Sequence, residues 1–471
     1  MRFYIMVAIT QQLTWHLISV LFLINSLNAQ ISPLKLSAEE REQVIDKINE
    51  LISANYVFAD LGQQCGIYLK EQLDAGIYND ITHPRELVKK LNEDMHSIHK
   101  DRHVRVQFIT PDQERLQEQN PLLAFLLKTR EKSLDNFGFK EIKIFTGNIG
   151  YIRIDAFEAI ELARSQAIST MKFVENVDAL IIDLRQNNGG NPVMVQFICS
   201  YFFGEATHLN SNYWRRGDYI EEFWTLDNVE GKKRPHLPLF VLVGPTTFSA
   251  AEEFAYNLKT QKRATIIGET TAGGANPGYT FRINERFSIF IPTGHAINPV
   301  TNSNWEGIGI EPDIKVREEE AMKIALEKAQ HAAKKYRDEQ DDKTIDVLMG
   351  LSEKLENSSH LFQMQKEDSA KSIINKSLDA CINQNMIEEW TINALAYRYM
   401  AQGYMAMTIA LLEFNVKQYP YSANAYDSLG EAHLKNGDKE AAIESYKKSL
   451  ELDPRNQNAI FTLKKLGIDI K

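Results

Sequence analysis

Cysteine is scarce in this chain. Cys65, Cys199 and Cys381 are the only three among 471 residues, and their odd number and wide spacing exclude a disulfide framework and a CxxC metal site. Cys199 sits in an apolar stretch, residues 195–203, and reads as core rather than as a reactive thiol. Excess positive charge is missing too. Lys and Arg total 53 against 63 Asp and Glu, a net charge of −10, which argues against a nucleic-acid binder. Beyond the N-terminal segment no apolar run is long enough to cross a bilayer. No HExxH occurs, and His96, His99 and His103 are too loosely spaced to read as a metal centre, so neither a metal nor another cofactor is expected. Wholesale disorder is excluded by a content of 44% hydrophobic and 25% charged residues.

What is present begins with a targeting segment. Arg2 precedes a mostly apolar stretch, residues 15–27, and Ala29 is a small residue before Gln30. The pattern predicts a secretory signal over 1–29, cleaved near Ala29, with no stable membrane span afterwards; an uncleaved anchor is the alternative. Few cysteines in an exported chain fit a bacterial periplasm or exterior. Residues 30–136 read as a helical N-terminal domain. Val44, Ile45, Ile48, Leu51 and Ile52 form a helical stripe behind the candidate cap Ser37, and Pro84 opens a later helix. Asp101-Arg-His103 is a polar turn running into an alternating strand.

From 137 to 317 strands alternate with helices, which predicts a layered α/β core with strands buried on both faces. A hairpin is expected around Asn284-Glu285. Residues 318–386 read as a charged helical linker. Within 387–471, Leu395, Gly403 and Pro420 recur as Leu429, Gly437 and Pro454, a period of 34 that resembles tetratricopeptide repeats. Two repeats and a terminal helix are few for a free-standing array, so docking onto preceding helices is expected.

The chemistry concentrates in two loops. An apolar run, residues 237–243, ends in Gly244-Pro-Thr-Thr-Phe-Ser249, and a helix-forming stretch follows from Ala250. A Ser there has its hydroxyl beside free backbone N–H groups that can bind a developing oxyanion. The ordinary alternative is a helix N-cap. The second loop, Asp183-Leu-Arg185-Gln-Asn-Asn-Gly189-Gly190, follows the most apolar strand and brings backbone amides close to whatever binds there. A phosphate loop, an oxyanion donor and a plain turn all remain open for it, and Asp183 with Arg185 reads best as a structural ion pair under the cleft.

Together the motifs resemble a known family. Asp183-Leu-Arg-Gln-Asn-Asn-Gly-Gly, Phe248-Ser-Ala-Ala-Glu-Glu and Ile267-Gly-Glu-Thr-Thr-Ala-Gly-Gly274 resemble the tail-specific, or C-terminal processing, serine peptidases. Trp305-Glu-Gly-Ile-Gly-Ile-Glu-Pro-Asp-Ile resembles the closing motif of the branch with tricorn protease cores and interphotoreceptor retinoid-binding protein modules. The resemblance covers about residues 36–316 and implies a ClpP/crotonase-like layered fold. One departure matters. Ser–Lys members carry a Lys in the turn after Gly-Glu-x-Thr, but no Lys occurs here between Lys262 and Lys315. The tricorn-like branch instead uses a His placed before the core, which Asp101-Arg-His103 resembles. A Ser hydroxyl needs a base that works near neutrality, and His is the usual one. The resemblance implies Glu306, or else Glu311, as the group orienting it. It also implies Gly189 or Gly190, with Ala250, as oxyanion donors. No PDZ domain fits, because only residues 109–136 are available for it.

The expected function is an exported serine peptidase that acts on peptides or proteins, with His103 as base for Ser249. A competing His295 reads as a surface loop residue. Two rival readings stay open. One is a non-proteolytic binder of apolar ligands, lined by Phe202, Phe203, Trp214, Phe223 and Trp224. The other is a scaffold that captures a protein partner through its repeats.

Overall fold

In a computed structural model of the protein, residues 35–110, 119–384 and 386–469 are described. The expected signal segment lies outside them. The chain forms two compact units, Met1–Tyr336 and Arg337–Lys471.

The first unit begins with the helices Ala38–Asn55, Ala59–Asp74 and Pro84–Ile98. Ser37 caps the first through a hydrogen bond from Glu40 N (3.0 Å), and the predicted stripe of Val44, Ile45, Ile48 and Ile52 is buried. Pro84 stands in the first turn of the third helix, where its missing N–H costs nothing. These helices share a core with Val104, Val106, Phe287, Ile289 and Ile291. The last three belong to the strand Phe287–Pro292, which pairs antiparallel with Arg105–Phe108 on one side and Gly278–Arg282 on the other. The predicted hairpin is therefore present, and it also receives the N-terminal region as a third strand. The helix Pro121–Leu134 buries none of its residues.

A six-stranded sheet forms the centre. Its order is Ile314–Lys315, Thr265–Gly268, Leu239–Val243, Ala179–Asp183, Ile149–Ile154 and Phe139–Phe145. All neighbours are parallel except the last pair. Ala179–Asp183 and Leu239–Val243 are buried at every position, as their unbroken apolar runs require in a sheet covered on both sides. Alternate residues divide between two cores. Leu180, Ile182, Val241 and Ile266 pack with Phe254 and Leu258 of the helix Ala250–Thr260. Ile181, Phe240, Leu242 and Ile267 pack against Ala321, Ala325, Ala329 and Ala333. Those four small residues lie at every fourth position of the helix Glu318–Gln363, so its first turns close the sheet and do not act as a linker. A further three-stranded sheet, Gly294–Ile297, His208–Trp214 and Tyr219–Trp224, was not legible as strands, because its runs are polar.

The second unit is all helical. Glu389–Ala401 pairs with Met405–Gln418, Ala423–Asn436 with Lys439–Leu452, and Gln457–Lys465 follows. The recurring Gly403 and Gly437 stand between the paired helices. No helix among the described residues is long and apolar enough to cross a membrane.

Candidate active site

Three adjacent parallel strands, Ala179–Asp183, Leu239–Val243 and Thr265–Gly268, end on the same side of the sheet. Their C-terminal loops carry the three central motifs, at the edge where open α/β sheets generally bind ligands. The first two loops are joined by Thr247, whose Oγ1 donates to Leu184 O (2.8 Å), and by Phe248 N, which donates to Asn187 O (3.0 Å).

Ser249 follows with φ 55° and ψ −123°. A non-glycine residue in that region costs on the order of 1–3 kcal/mol and persists only where its surroundings enforce it. Glu252 supplies the enforcement. Its buried carboxylate accepts from Ser249 N (2.9 Å), Thr271 Oγ1 (2.5 Å), Gly273 N (2.7 Å) and Gly274 N (2.8 Å). One side chain thus clamps the serine loop to the third loop. Burial raises its pKa, against the opposing pull of these four hydrogen bonds. Ser249 does occupy the N-cap position, with Glu252 at the third helical residue, and its hydroxyl also meets an imidazole: His103 Nε2 lies 3.1 Å from Ser249 Oγ.

The imidazole of His103 packs on the Phe248 ring, with centroids 4.5 Å apart, and near Phe290. Its other nitrogen, Nδ1, is 3.5 Å from Asp101 Oδ1, and the same oxygen accepts from His103 N (3.0 Å). Asp101 is itself buried. Its second oxygen accepts from Tyr56 Oη (3.2 Å) and Asn276 Nδ2 (2.9 Å). Burial works against the charge on Asp101, but the hydrogen bonds and charge of His103, with help from Asn276, outweigh it and hold this carboxyl below the usual range. Glu306 behaves oppositely. Burial first, and then the Asp101 carboxylate beside it, push it up to about 8, although its Oε2 accepts from Ala275 N (2.6 Å). Asp101, His103 and Glu306 offer ligand atoms within 4.8 Å of one another, a grouping that could hold a small cation.

Gly189 brings the second loop against the serine: a Cβ there would lie 2.7 Å from Ser249 Cβ. Its amide is committed to Asn187 Oδ1 (2.8 Å), so Gly189 is not a free donor. Gly190 is bridged to Phe157 through its neighbours, Phe157 N donating to Gly189 O and Asn191 N to Phe157 O. Its own N–H therefore points away from Phe157. Neither the Gly190 nor the Ala250 amide donates to a protein acceptor among the described residues.

A cavity of about 320 Å³ opens beside Ser249, with Trp214, Phe223 and Trp305 among its walls and Glu253 and Asn212 also facing it. Of the aromatics expected to line a ligand site, Phe202 and Phe203 are instead part of the core, and Trp224 stacks on His208 outside this cavity. Other expectations also change. Glu311 is exposed beside Lys315 and cannot orient His103. His295 is half-buried between Phe58 and Tyr213, not a surface residue. His96 binds Val104 O (3.0 Å), while burial lowers His99 to about 4. Asp183 and Arg185 form a bidentate pair (2.9 and 2.7 Å), and Arg185 also holds Glu318 O (2.8 Å).

Sequence reasoning missed Asp101, Glu252 and Asn276. The Asp-x-His spacing was the available signal for Asp101, since an aspartate two residues before a histidine can fold back on its amide. Nothing in the sequence marked Asn276.

Residues 148–316 match peptidase family S41. Residues 27–136 match the N-terminal domain of peptidase S41 in eukaryotic IRBP, and 423–456 match a tetratricopeptide repeat. The chain is similar to the carboxy-terminal processing protease CtpB of Bacillus subtilis, at 25% identity over 49% of this chain and 47% of that protein. It is also similar to a carboxy-terminal-processing protease of Bartonella bacilliformis, at 26% over 36% and 39%. The chain thus spans less than half the length of these curated relatives. Among solved structures, the photosystem II D1 C-terminal processing protease aligns at 13% identity and TM-score 0.39 over 59% of this chain and 94% of that one. Tricorn protease aligns at 13% and 0.39 over 63% and 37%.

Proposed function

Since the chain carries a peptidase family S41 domain at residues 148–316, we propose that it hydrolyses peptide bonds through an acyl-enzyme on Ser249, with a histidine base. Ser249 Oγ attacks the carbonyl carbon while its proton passes to His103 Nε2. The tetrahedral oxygen accepts from the amides of Gly190 and Ala250. Asp101 holds the imidazole and balances its positive charge. The Nε2 proton then goes to the departing amine, which breaks the C–N bond and leaves the ester. Water attacks the ester, losing its proton to His103, and Ser249 is restored. The family resemblance implied Glu306 as the orienting group; in the present reading Asp101 takes that part, because burial and the Asp101 carboxylate push Glu306 up to about 8.

The observation that carries this reading is the 3.1 Å approach of His103 Nε2 to Ser249 Oγ. The test is labelling by a fluorophosphonate together with hydrolysis of casein or peptide pools. Both should vanish in Ser249→Ala, and both should fall by about 10²–10⁴ in His103→Ala. Full activity in Ser249→Ala overturns the proposal. Export by the N-terminal segment and capture of a protein partner by the repeats complete the reading. Secretion of a reporter fused to residues 1–34, and loss of partner capture on deleting the repeats, test those parts.

The aromatic walls of the cavity favour one rival, a site for an apolar ligand without proteolysis. Retinol or fatty-acid binding by a protein that never labels at Ser249 would establish it instead.

A further inference from the structure

The cavity beside Ser249 contains a group that the mechanism above does not use. Glu253 lies four residues after Ser249 on the helix Ala250–Thr260, and its N–H donates to Ser249 O (2.9 Å). It therefore sits one turn below the nucleophile, about 6 Å along the helix axis and on the same face. Glu253 is only 7% exposed, yet it lines the cavity. Its polar neighbours are the Asn257 and Asn210 amides, and no cation among the described residues faces it. Asn257 itself satisfies neither its side-chain oxygen nor its nitrogen. Glu253 thus brings a buried carboxyl to a cavity that is also lined by Trp214, Phe223 and Trp305.

We infer that this cavity receives the side chain on the amino-terminal side of the cut bond, and that Glu253 selects a lysine or arginine there. The inference rests on the peptidase reading of Ser249. The chemistry of the lining matches the ligand class: aromatic walls suit the methylene stem of a long cationic side chain, and the Glu253 carboxyl meets its charged end. A buried carboxylate without a charged partner is expensive to ionise, and burial pushes Glu253 up to about 8 against the opposing pull of the neighbouring Asn257 and Asn210 amides. An incoming ammonium or guanidinium brings the missing counter-charge. A norleucine side chain, similar in length but uncharged, leaves the acid buried and unpaired.

Two experiments decide the matter. The first compares peptide amides that differ only in lysine, norleucine or glutamine at that position. Lysine should exceed both in kcat/KM by about 100-fold, the scale of a lost hydrogen bond to a charged group, and Glu253→Gln should remove the preference. Equal or better turnover of norleucine or glutamine by the parent protein overturns the inference, and this comparison needs no variant to fold. The second is calorimetric titration with agmatine, a free guanidinium. Binding should persist in Ser249→Ala and drop at least 10-fold in Glu253→Gln. Binding that ignores Glu253, or no binding to the parent protein, overturns the pocket assignment. Agmatine binding without hydrolysis of any peptide would instead count against the peptidase reading and leave the pocket standing.

Discussion

Gly274 and His103 exclude each other's side-chain space. A Cβ built on Gly274 would lie 2.8 Å from Cε1 of His103 and 2.1 Å from Cε2 of Phe248. This is the turn where Ser–Lys members of the resembled family carry lysine. A side chain at 274 and an imidazole beside Ser249 are therefore alternatives, and the missing lysine is sterically tied to the histidine. Gly274→Ala should displace the ring and lower kcat/KM at least about 100-fold, because a misplaced base about 1 Å off costs that much. The melting temperature should fall far less than activity does. A fully active Gly274→Ala protein would show that the ring can be reseated.

The two carboxyls near His103 should respond differently to neutralisation. Asp101→Asn removes the charge that holds Nδ1 and should reduce kcat by about 10²–10⁴ with KM little changed. Glu306→Gln replaces a group already neutral below about 8 and should cost less than about 10-fold below that pH. Steady-state kinetics at pH 6.5 separates the two roles. The reverse order would return the orienting role to Glu306.

Stability should decline as pH rises toward mild alkali. Glu306 moves from an ordinary 4.5 to about 8 in the folded chain. The native protein therefore keeps a proton that the unfolded chain has released between those values. Its stabilising effect is full below 4.5 and is lost as pH climbs through 8. The slope is about one proton, on the order of 1 kcal/mol per pH unit, and Glu253 adds a second term of the same sign. Urea unfolding midpoints measured from pH 5 to 8.5 should flatten in Glu306→Gln. An unchanged slope would mean that Glu306 ionises normally.

Chelation should leave peptide hydrolysis unchanged. Asp101, His103 and Glu306 have the spacing of a cation site, but His103 Nε2 is directed at Ser249 and the proposed steps need no ion. Activity after dialysis against EDTA should equal that of the untreated protein. Loss of activity that added zinc or magnesium restores would reassign the three groups as ligands.

Sequence patterning revealed much of the architecture. Ile149–Ile154 and the hairpin around Asn284 were legible because apolar period and turn residues agreed. The polar strand His208–Trp214 was not, since its cover comes from distant parts of the chain. Ser249 and His103 were found through motifs, but they are 146 residues apart, and their meeting depends on the pairing of Arg105–Phe108 with Phe287–Phe290. Asp101 was hidden by the same cause. Its neighbours Tyr56 and Asn276 are 45 and 175 residues away, so no local pattern distinguishes it from a turn aspartate. Glu252 looked like an ordinary first-turn acid, and only the fold gives it three donors from outside its own helix end.

The pairing of Arg105–Phe108 with Phe287–Phe290 also sets a timetable. During synthesis His103 is made first, Ser249 146 residues later, and the strand that seats the histidine turn later still. Until that strand has been made, the edge on which Arg105–Phe108 pairs does not exist. Chain order thus delays the joining of His103 to Ser249 until both strands of the hairpin are present.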